Sequence, residues 1–142
     1  MTYNEILFNQ PEHRKMILDG IKIHTIRGSR RFKVGDDFFC RMTQGGTHFF
    51  AQEIKWIQEI FIIPESGEVY IAELPEDSLQ IRHRKLEGFD LARFTIQEGF
   101  FSNLAFFEYF RGKEDCIFQN QKAYQGQIIA WAGKPFQIPE EV

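Results

Sequence analysis

The sequence is poor in cysteine and proline, the residues that constrain a chain most strongly. Its 142 residues include 2 cysteines and 5 prolines. Cys40 and Cys116 are far apart, and neither has a second cysteine nearby. This argues against a disulfide framework and against a zinc site built from paired cysteines. We therefore expect reduced thiols and a cytoplasmic location.

Metal-ligand spacing, long apolar runs and a signal peptide are also lacking. No metal-ligand spacing is found among the histidines, which are His13, His24, His48 and His83. No apolar stretch approaches the about 20 residues that a membrane span needs. The first residues lack the basic start and the apolar run of a signal peptide. We expect no metal, no cofactor and no membrane partner.

The sequence has fewer basic than acidic residues. The 17 lysines and arginines are outnumbered by 20 acidic residues, which gives a net charge of −3. The composition therefore does not support a general attraction to nucleic acid, and any such binding must come from a local patch. Two basic stretches qualify, namely Arg27 with Arg30, Arg31 and Lys33, and residues 82–85. For the second stretch we favour a solvent-exposed face.

What is present is typical of one globular domain that spans residues 1–142. Apolar residues make up 43% of the chain and charged residues 26%, which argues against disorder. A chain of this length buries roughly two thirds of its unfolded surface. The 16 phenylalanines are unusual, and we interpret them as core packing rather than as a base-stacking platform.

Short apolar segments separated by turn residues predict the secondary structure of the first half. We expect a strand over residues 5–9, a helix that starts at Pro11 and ends at Gly20, a hairpin over residues 44–47 and a turn over residues 64–67. Several short strands with turns between them favour a barrel-like sheet over a parallel α/β sheet.

The C-terminal half is predicted to contain two helices. Asp90 is expected to cap the first, which ends at Gly99, and Ser102 is expected to cap the second, which ends at Gly112. Residues 113–125 are polar, and we predict that they are irregular.

The strongest functional signal lies in residues 20–27, which read GIKIHTIR. Lysine, threonine and arginine bring hydrogen-bond donors that are costly to bury without partners. Three of them at this spacing indicate a site for a polar or anionic ligand. Arg27 is best suited to phosphate or carboxylate, because a planar guanidinium donates two parallel bonds. Arg30 and Arg31 can extend that contact along a nucleic-acid backbone.

Lys22, Thr25 and Glu98 are the candidate catalytic residues. A threonine hydroxyl is a weak nucleophile that needs a base, and Lys22 can serve if burial lowers its pKa. Glu98 falls at a predicted helix C-terminus, where the helix dipole slightly raises the pKa of a carboxyl group. In a regular strand Lys22 and Thr25 point to opposite faces. They can cooperate only if the chain bends or leaves the sheet near His24.

Structural roles remain open for the same residues. Thr25 is an ordinary β-branched strand residue, and Lys22 can form a partly buried ion pair with Glu98. Arg27 can pair with one of the aspartates at positions 36–37. Short motifs of this kind have a high false-positive rate, so a ligand site and a purely structural role both stay in consideration.

The pattern Gly-x-Lys-x-x-Thr-x-Arg resembles the signature of the ASCH domain, a small β-barrel similar to the PUA fold of RNA-binding modules. Further matches follow in the family's order, at residues 32–36 (FKVGD), 98–100 (EGF) and 128–131 (IIAW). The resemblance covers most of the chain. It implies a single α+β domain in which a PUA-like mixed or antiparallel β-barrel carries flanking helices.

The resemblance implies two functions. Members named for this domain include presumed RNA-binding modules, which implies that a cleft lined by the motif binds RNA, a nucleotide or a nucleoside. Similar small bacterial amidohydrolases remove the acetyl group from N(4)-acetylcytidine, and their catalytic positions fall on Lys22, Thr25 and Glu98. The chain departs from those compact enzymes by an extra stretch at residues 64–88. Its enzymatic activity and its oligomeric state are therefore left open.

Overall fold

The computed structural model describes residues 4–8, 11–28, 32–41, 48–73 and 82–132. Within these ranges the chain forms three helices and nine strands. The helices are α1 (Pro11–Leu18), α2 (Gly88–Gln97) and α3 (Asn103–Phe110). The strands are β1 (Asn4–Leu7), β2 (His24–Arg27), β3 (Asp37–Arg41), β4 (His48–Glu53), β5 (Trp56–Ile63), β6 (Glu68–Glu73), β7 (Arg82–Lys85), β8 (Cys116–Phe118) and β9 (Gln121–Ala130).

The strands form two sheets in which most neighbours run antiparallel. The smaller sheet has the order β1-β3-β4, and its β1–β3 pair is parallel. The larger sheet has the order β2-β9-β5-β6-β7, and β8 also pairs with β9. Helices together with mainly antiparallel strands confirm the predicted α+β class. The strands that the structure describes leave both sheets open, so they do not confirm the predicted barrel.

Two clusters of buried side chains pack on opposite faces of the larger sheet. Ile128 and Ala130 of β9 belong to the first cluster, together with Phe94 of α2 and Phe106 of α3. Ile129 lies between Ile128 and Ala130 in the chain, and it belongs to the second cluster, which includes residues of the smaller sheet. Successive strand residues point to opposite faces, so the end of β9 is buried on both sides. Its neighbour β2 therefore lies between both clusters.

Most of the sequence signals at helix ends are confirmed. The first helix starts at Pro11, and Gly20 follows its last turn with a φ of 76°, a conformation that glycine adopts without steric cost. The hydroxyl of Ser102 caps α3 by accepting a hydrogen bond of 3.1 Å from the backbone N–H of Ala105. The predicted hairpin at residues 44–47 lies outside the described residues.

The predicted start of α2 is wrong. The helix begins at Gly88, so Asp90 lies in its first turn rather than at its N-cap. Leu91 is already buried in that turn, and its backbone N–H donates to the carbonyl oxygen of Glu87 at 3.4 Å, so the helical turn begins before Asp90. Tertiary packing here overrides the local preference of an aspartate for the cap position.

The prediction of an irregular segment over residues 113–125 is also wrong. This segment contains β8 and the beginning of β9, which pair as a hairpin. Gln119 and Asn120 form its tight turn, with φ angles of 54° and 62°, as two-residue hairpin turns require. Several side chains in the hairpin remain exposed to solvent. Because the segment is polar in composition, the sequence did not predict these strands.

Gly99 provides a test of how α2 is joined to α1. Its φ is 100°, and an added Cβ would lie 2.4 Å from His13 Nε2; Gly112 has a comparable φ of 86° but no atom within 4 Å of that position. We expect Gly112→Ala to cost about 1–2 kcal/mol from backbone strain. Gly99→Ala should cost more than this, because the His13 ring must also move. Urea unfolding measures both, and equal costs would contradict the close packing of His13 against Gly99.

Candidate functional site

A cavity of about 330 Å³ opens where α1, β2, α3 and the end of α2 meet. Its volume lies within the range of about 300–1,000 Å³ that is typical of small-molecule sites. The lining residues are Phe8, His13, Lys22, Thr25, Ile26, Arg27, Gly28, Glu98, Phe100, Tyr109, Phe110, Lys113 and Tyr124. The three predicted catalytic residues therefore line the same cavity.

Lys22 and Thr25 can share this cavity because Lys22 lies outside the strand. β2 begins at His24, two residues after Lys22. The backbone N–H of Lys22 donates instead to the carbonyl oxygen of Met16 in α1, at 3.0 Å. The chain thus leaves the sheet before His24, which is the departure from regular strand geometry that cooperation between Lys22 and Thr25 requires.

Lys22 is held against the C-terminal end of α2. Its side chain is only 1% exposed. The Nζ atom donates to the backbone carbonyl of Glu98 at 3.1 Å and to Glu98 Oε2 at 3.4 Å. The ammonium therefore meets a carboxylate and the negative end of a helix dipole together. The ion pair considered as a structural alternative is present, and it is buried.

The second carboxylate oxygen of Glu98 contacts a histidine that was not predicted as a site residue. His24 Nδ1 forms a short hydrogen bond with Glu98 Oε1, and both side chains are buried. The His24 ring stacks on Phe94 with a centroid separation of 5.4 Å. Trp56 lies on another side of the ring, at 6.2 Å. One carboxylate is thus held by two nitrogen groups, one on each oxygen.

Burial and pairing shift both pKa values at this contact. Burial lowers the pKa of Lys22, and the nearby Arg27 lowers it further, while Glu98 opposes them. Burial alone would raise the pKa of Glu98, but the charges and hydrogen bonds of Lys22 and His24 outweigh it and lower that pKa. The expectation that the helix C-terminus raises the pKa of Glu98 is therefore wrong, because the two nitrogen groups dominate the local field.

Thr25 presents its side chain to the cavity from β2. The residue is only 2% exposed to bulk solvent and pairs with Ile129 of β9. The backbone pairing agrees with an ordinary strand residue, and the side chain also lines the cavity.

Arg27 lies two residues further along β2 and has the same parity as Thr25. Its guanidinium carbon is 5.1 Å from the centroid of the Phe8 ring, and Nη1 donates to the carbonyl of Ile26 at 3.0 Å. Burial lowers its pKa. Arg27 thus lines the cavity as predicted, whereas Arg30 and Arg31 lie outside the described residues.

His13 of α1 also lines the cavity, although the sequence analysis did not select it. Its ring packs edge-on against Phe8 at 5.9 Å. Burial and the nearby charge of Lys22 lower its pKa, which favours a neutral imidazole at neutral pH. A single histidine on a short helix carries no spacing signal, so composition and motif could not identify it.

Aromatic rings in contact with one another form one wall of the cavity. Phe100 contacts Tyr109 at 5.5 Å between ring centroids, Tyr109 contacts Phe110 at 5.0 Å and Phe110 contacts Tyr124 at 4.9 Å. The ammonium of Lys113 lies 3.3 Å from the centroid of the Tyr109 ring, which is cation–π geometry. The wall combines flat apolar surface with two hydroxyl groups.

The prediction that the aromatic residues serve core packing has a mixed outcome. Phe8 and Phe100 line the cavity. Trp56 belongs to the first buried cluster and lies against His24. Phe38 is fully buried, as expected for core packing, whereas Phe101 is 98% exposed.

The charge of the cavity differs from that of the whole chain. Among its described lining residues, Lys22, Arg27 and Lys113 are cationic and Glu98 is the one carboxylate. With His13 neutral the lining carries a net charge of +2, whereas the chain carries −3. An anionic group would therefore be attracted to this part of the surface.

Comparison of the chain with protein-family models, curated proteins and solved structures finds no match. The resemblance to the ASCH domain therefore rests on the motifs alone. In the described ranges, no helix is long and apolar enough to cross a membrane. The same ranges contain no group of three or more histidine, cysteine, aspartate or glutamate side chains that could hold a metal ion.

The buried ion pair predicts an unequal response to two lysine substitutions. Lys22→Met should lower the free energy of unfolding by about 3–5 kcal/mol, because it leaves Glu98 charged and buried. The exposed pair of Lys55 with Glu53, at 2.8 Å, provides the control, and Lys55→Met should cost less than about 1 kcal/mol. The double variant Lys22→Met/Glu98→Gln should recover part of the loss. Urea unfolding measures these free energies. Equal losses for the two lysine substitutions would contradict the assignment of Lys22 and Glu98 as a buried ion pair.

Proposed function

We propose that the cavity binds a nucleoside or nucleotide. The observation that carries the proposal is the convergence of Lys22, Thr25, Arg27 and Glu98 on a cavity that has an aromatic wall. A nucleobase has a flat face that stacks on aromatic rings and polar edges that need donors and acceptors. Both kinds of partner are available among the residues that line this cavity.

The charge of the lining favours a ligand with a phosphate or another anionic group. Besides Lys22, which pairs with Glu98, the cationic side chains of the lining are Arg27 and Lys113, and we infer that these two meet the anionic group. Arginine suits phosphate because its planar group can donate two parallel hydrogen bonds. We infer that a nucleotide binds more tightly than the corresponding nucleoside.

The ASCH resemblance supports the same ligand class. It also supports a PUA-like arrangement of the two sheets, which we propose as the architecture of the domain. An RNA ligand would place further phosphates outside the cavity. Its affinity should then fall steeply with salt, as expected when several phosphate contacts release counterions. A single nucleotide held in the cavity should show a shallower dependence.

Titration calorimetry with cytidine 5′-monophosphate tests the binding proposal. The nucleotide should bind the wild type, and cytidine should bind more weakly. Tyr109→Ala should weaken binding by at least about fivefold, because one stacked base contributes about 1–3 kcal/mol. Tyr109 lines the cavity and is about half exposed, so its loss should not unfold the chain.

Phe101→Ala is the matched control for this experiment. Phe101 is an aromatic residue near the same helix, but it is 98% exposed and does not line the cavity. Its substitution should leave the affinity unchanged. The proposal is contradicted if no nucleotide or nucleoside binds, or if both aromatic variants lose affinity equally.

A second candidate function is hydrolysis of an acyl group from the amine of a nucleoside. The observation that favours it is the state of Lys22, whose pKa is lowered by burial. In its neutral form Lys22 donates both N–H groups to Glu98, at the carbonyl oxygen and at Oε2. Its lone pair then occupies a remaining tetrahedral position.

The proposed reaction is acyl transfer through Thr25, which lines the same cavity as Lys22. The hydroxyl oxygen attacks the acyl carbon while its proton passes to Lys22 Nζ. The carbon–nitrogen bond then breaks, the amine leaves with that proton, and water hydrolyses the resulting threonine ester to release the acid. Glu98 holds Lys22 in place throughout. The predicted proton-carrier role of Glu98 is less favoured, because both of its oxygens already have partners.

Hydrolysis of N(4)-acetylcytidine, followed by chromatography, tests this second function. The wild type should release cytidine. Thr25→Val, which keeps the shape of the side chain, and Lys22→Met should each lose at least about 100-fold of the rate, the lower end of what a general base contributes. Lys113→Met removes a lysine that also lines the cavity, and it should retain the chemical step. Equal rates in Thr25→Val and the wild type would exclude Thr25 as nucleophile.

A further inference from the structure

His24 is a buried histidine whose hydrogen bond is made to a group that lines the cavity. Its Nδ1 is bonded to Glu98 Oε1, while Lys22 Nζ is bonded to Glu98 Oε2. His24 itself does not line the cavity. Its influence on a ligand must therefore pass through Glu98.

The position of His24 is determined by two elements at once. β2 fixes its backbone, since His24 pairs with Ala130 of β9. α2 fixes its ring, since Phe94 stacks on one face of the imidazole. Phe94 and Glu98 are four residues apart, and such residues lie on the same face of a helix. The end of α2 thus presents a stacking ring and a carboxylate to the same histidine.

Without the imidazole, Glu98 Oε1 would lose its donor in a buried environment. Both side chains of this contact are buried, and the centroids of the Phe94 and Trp56 rings lie 5.4 and 6.2 Å from that of His24. A carboxylate oxygen next to such rings, with its donor removed, carries the full cost of an unpaired buried acceptor. The carboxyl group would then turn or take up a proton. Either change would alter the partner that holds Lys22.

We propose that His24 is a positioning residue, which donates from Nδ1 to Glu98 and keeps that carboxylate ionised and oriented towards Lys22 at the cavity. The consequence for a ligand rests on the function proposed above. The consequence for Glu98 does not, because it concerns the unliganded protein. His24 must carry a proton on Nδ1, since an ionised carboxylate can only accept.

The other titratable groups around this contact come from several elements. Lys22 precedes β2, Arg27 lies on β2, His13 lies on α1 and Cys40 lies on β3. Burial raises the pKa of Cys40 to about 12, so its thiol stays neutral in acid. His13 is the other imidazole near Glu98, so its effect on Glu98 has to be separated from the effect of His24.

The test is a pH titration of the Glu98 carboxyl carbon by NMR in protein labelled with ¹³C-glutamate. Glu98→Gln identifies the signal by its loss. His24→Leu should raise the pKa of Glu98 by about 1–2 pKa units, because a hydrogen bond to a charged group contributes about 1.5–3 kcal/mol. His24→Asn, whose amide can donate from a similar position, should stay close to the wild type. His13→Gln removes the other imidazole and should leave the Glu98 titration unchanged.

A Glu98 titration that is the same in His24→Leu and the wild type would overturn the proposal. Should His24→Leu fail to fold, ¹⁵N NMR of the wild-type imidazole decides instead. A protonated Nδ1 at neutral pH supports the proposal, and an Nδ1 without a proton overturns it.

Cytidine 5′-monophosphate should also bind His24→Leu more weakly than His24→Asn. If the nucleotide does not bind the wild type, the proposed function fails, while the Glu98 titration still decides the role of His24.

Discussion

The carboxylate of Glu98, buried between Lys22 and His24, is the interaction on which the rest of the candidate site depends. It neutralises an ammonium that burial would otherwise exclude from the interior. It also orients the Lys22 side chain, because Lys22 Nζ donates to the backbone carbonyl of Glu98 as well, at the C-terminal end of α2. Removing a charged partner from such a contact leaves an uncompensated charge. The contact therefore stabilises the fold and shapes the cavity at the same time.

The fold supplies this contact from three separate elements. Gly20 ends α1 and places Lys22 before β2 begins. β2 lies between two buried clusters, so His24 and Thr25 are both buried although they point to opposite faces. The end of α2 delivers Glu98. With Arg27 and the aromatic wall added, the result is a cationic cavity on an acidic protein, which suits a small ligand that has a flat ring and an anionic group.

The site was more predictable from the sequence than its surroundings. Lys22, Thr25 and Arg27 lie within six residues, and their donors indicated a site for a polar or anionic ligand, beside which structural roles stayed open. The parity of Lys22 and Thr25 predicted that the two can cooperate only if the chain bends or leaves the sheet near His24, and β2 does begin at His24. His13, Tyr109 and Lys113 could not be found, because each reaches the cavity through tertiary packing and carries no spacing signal. The pKa of Glu98 was predicted in the wrong direction, since a helix dipole is a weaker influence than a neighbouring ammonium.

The most direct test of this account is a pH titration of the Lys22 side chain in the unliganded protein, followed by NMR of its ¹³Cε atom. The account predicts a pKa below the ordinary value of 10.5, because burial disfavours the ammonium even beside a carboxylate. It also predicts that Glu98→Gln lowers that pKa further. A Lys22 that titrates at its ordinary value, and does so equally in Glu98→Gln, would place the ammonium in solvent and contradict the central contact.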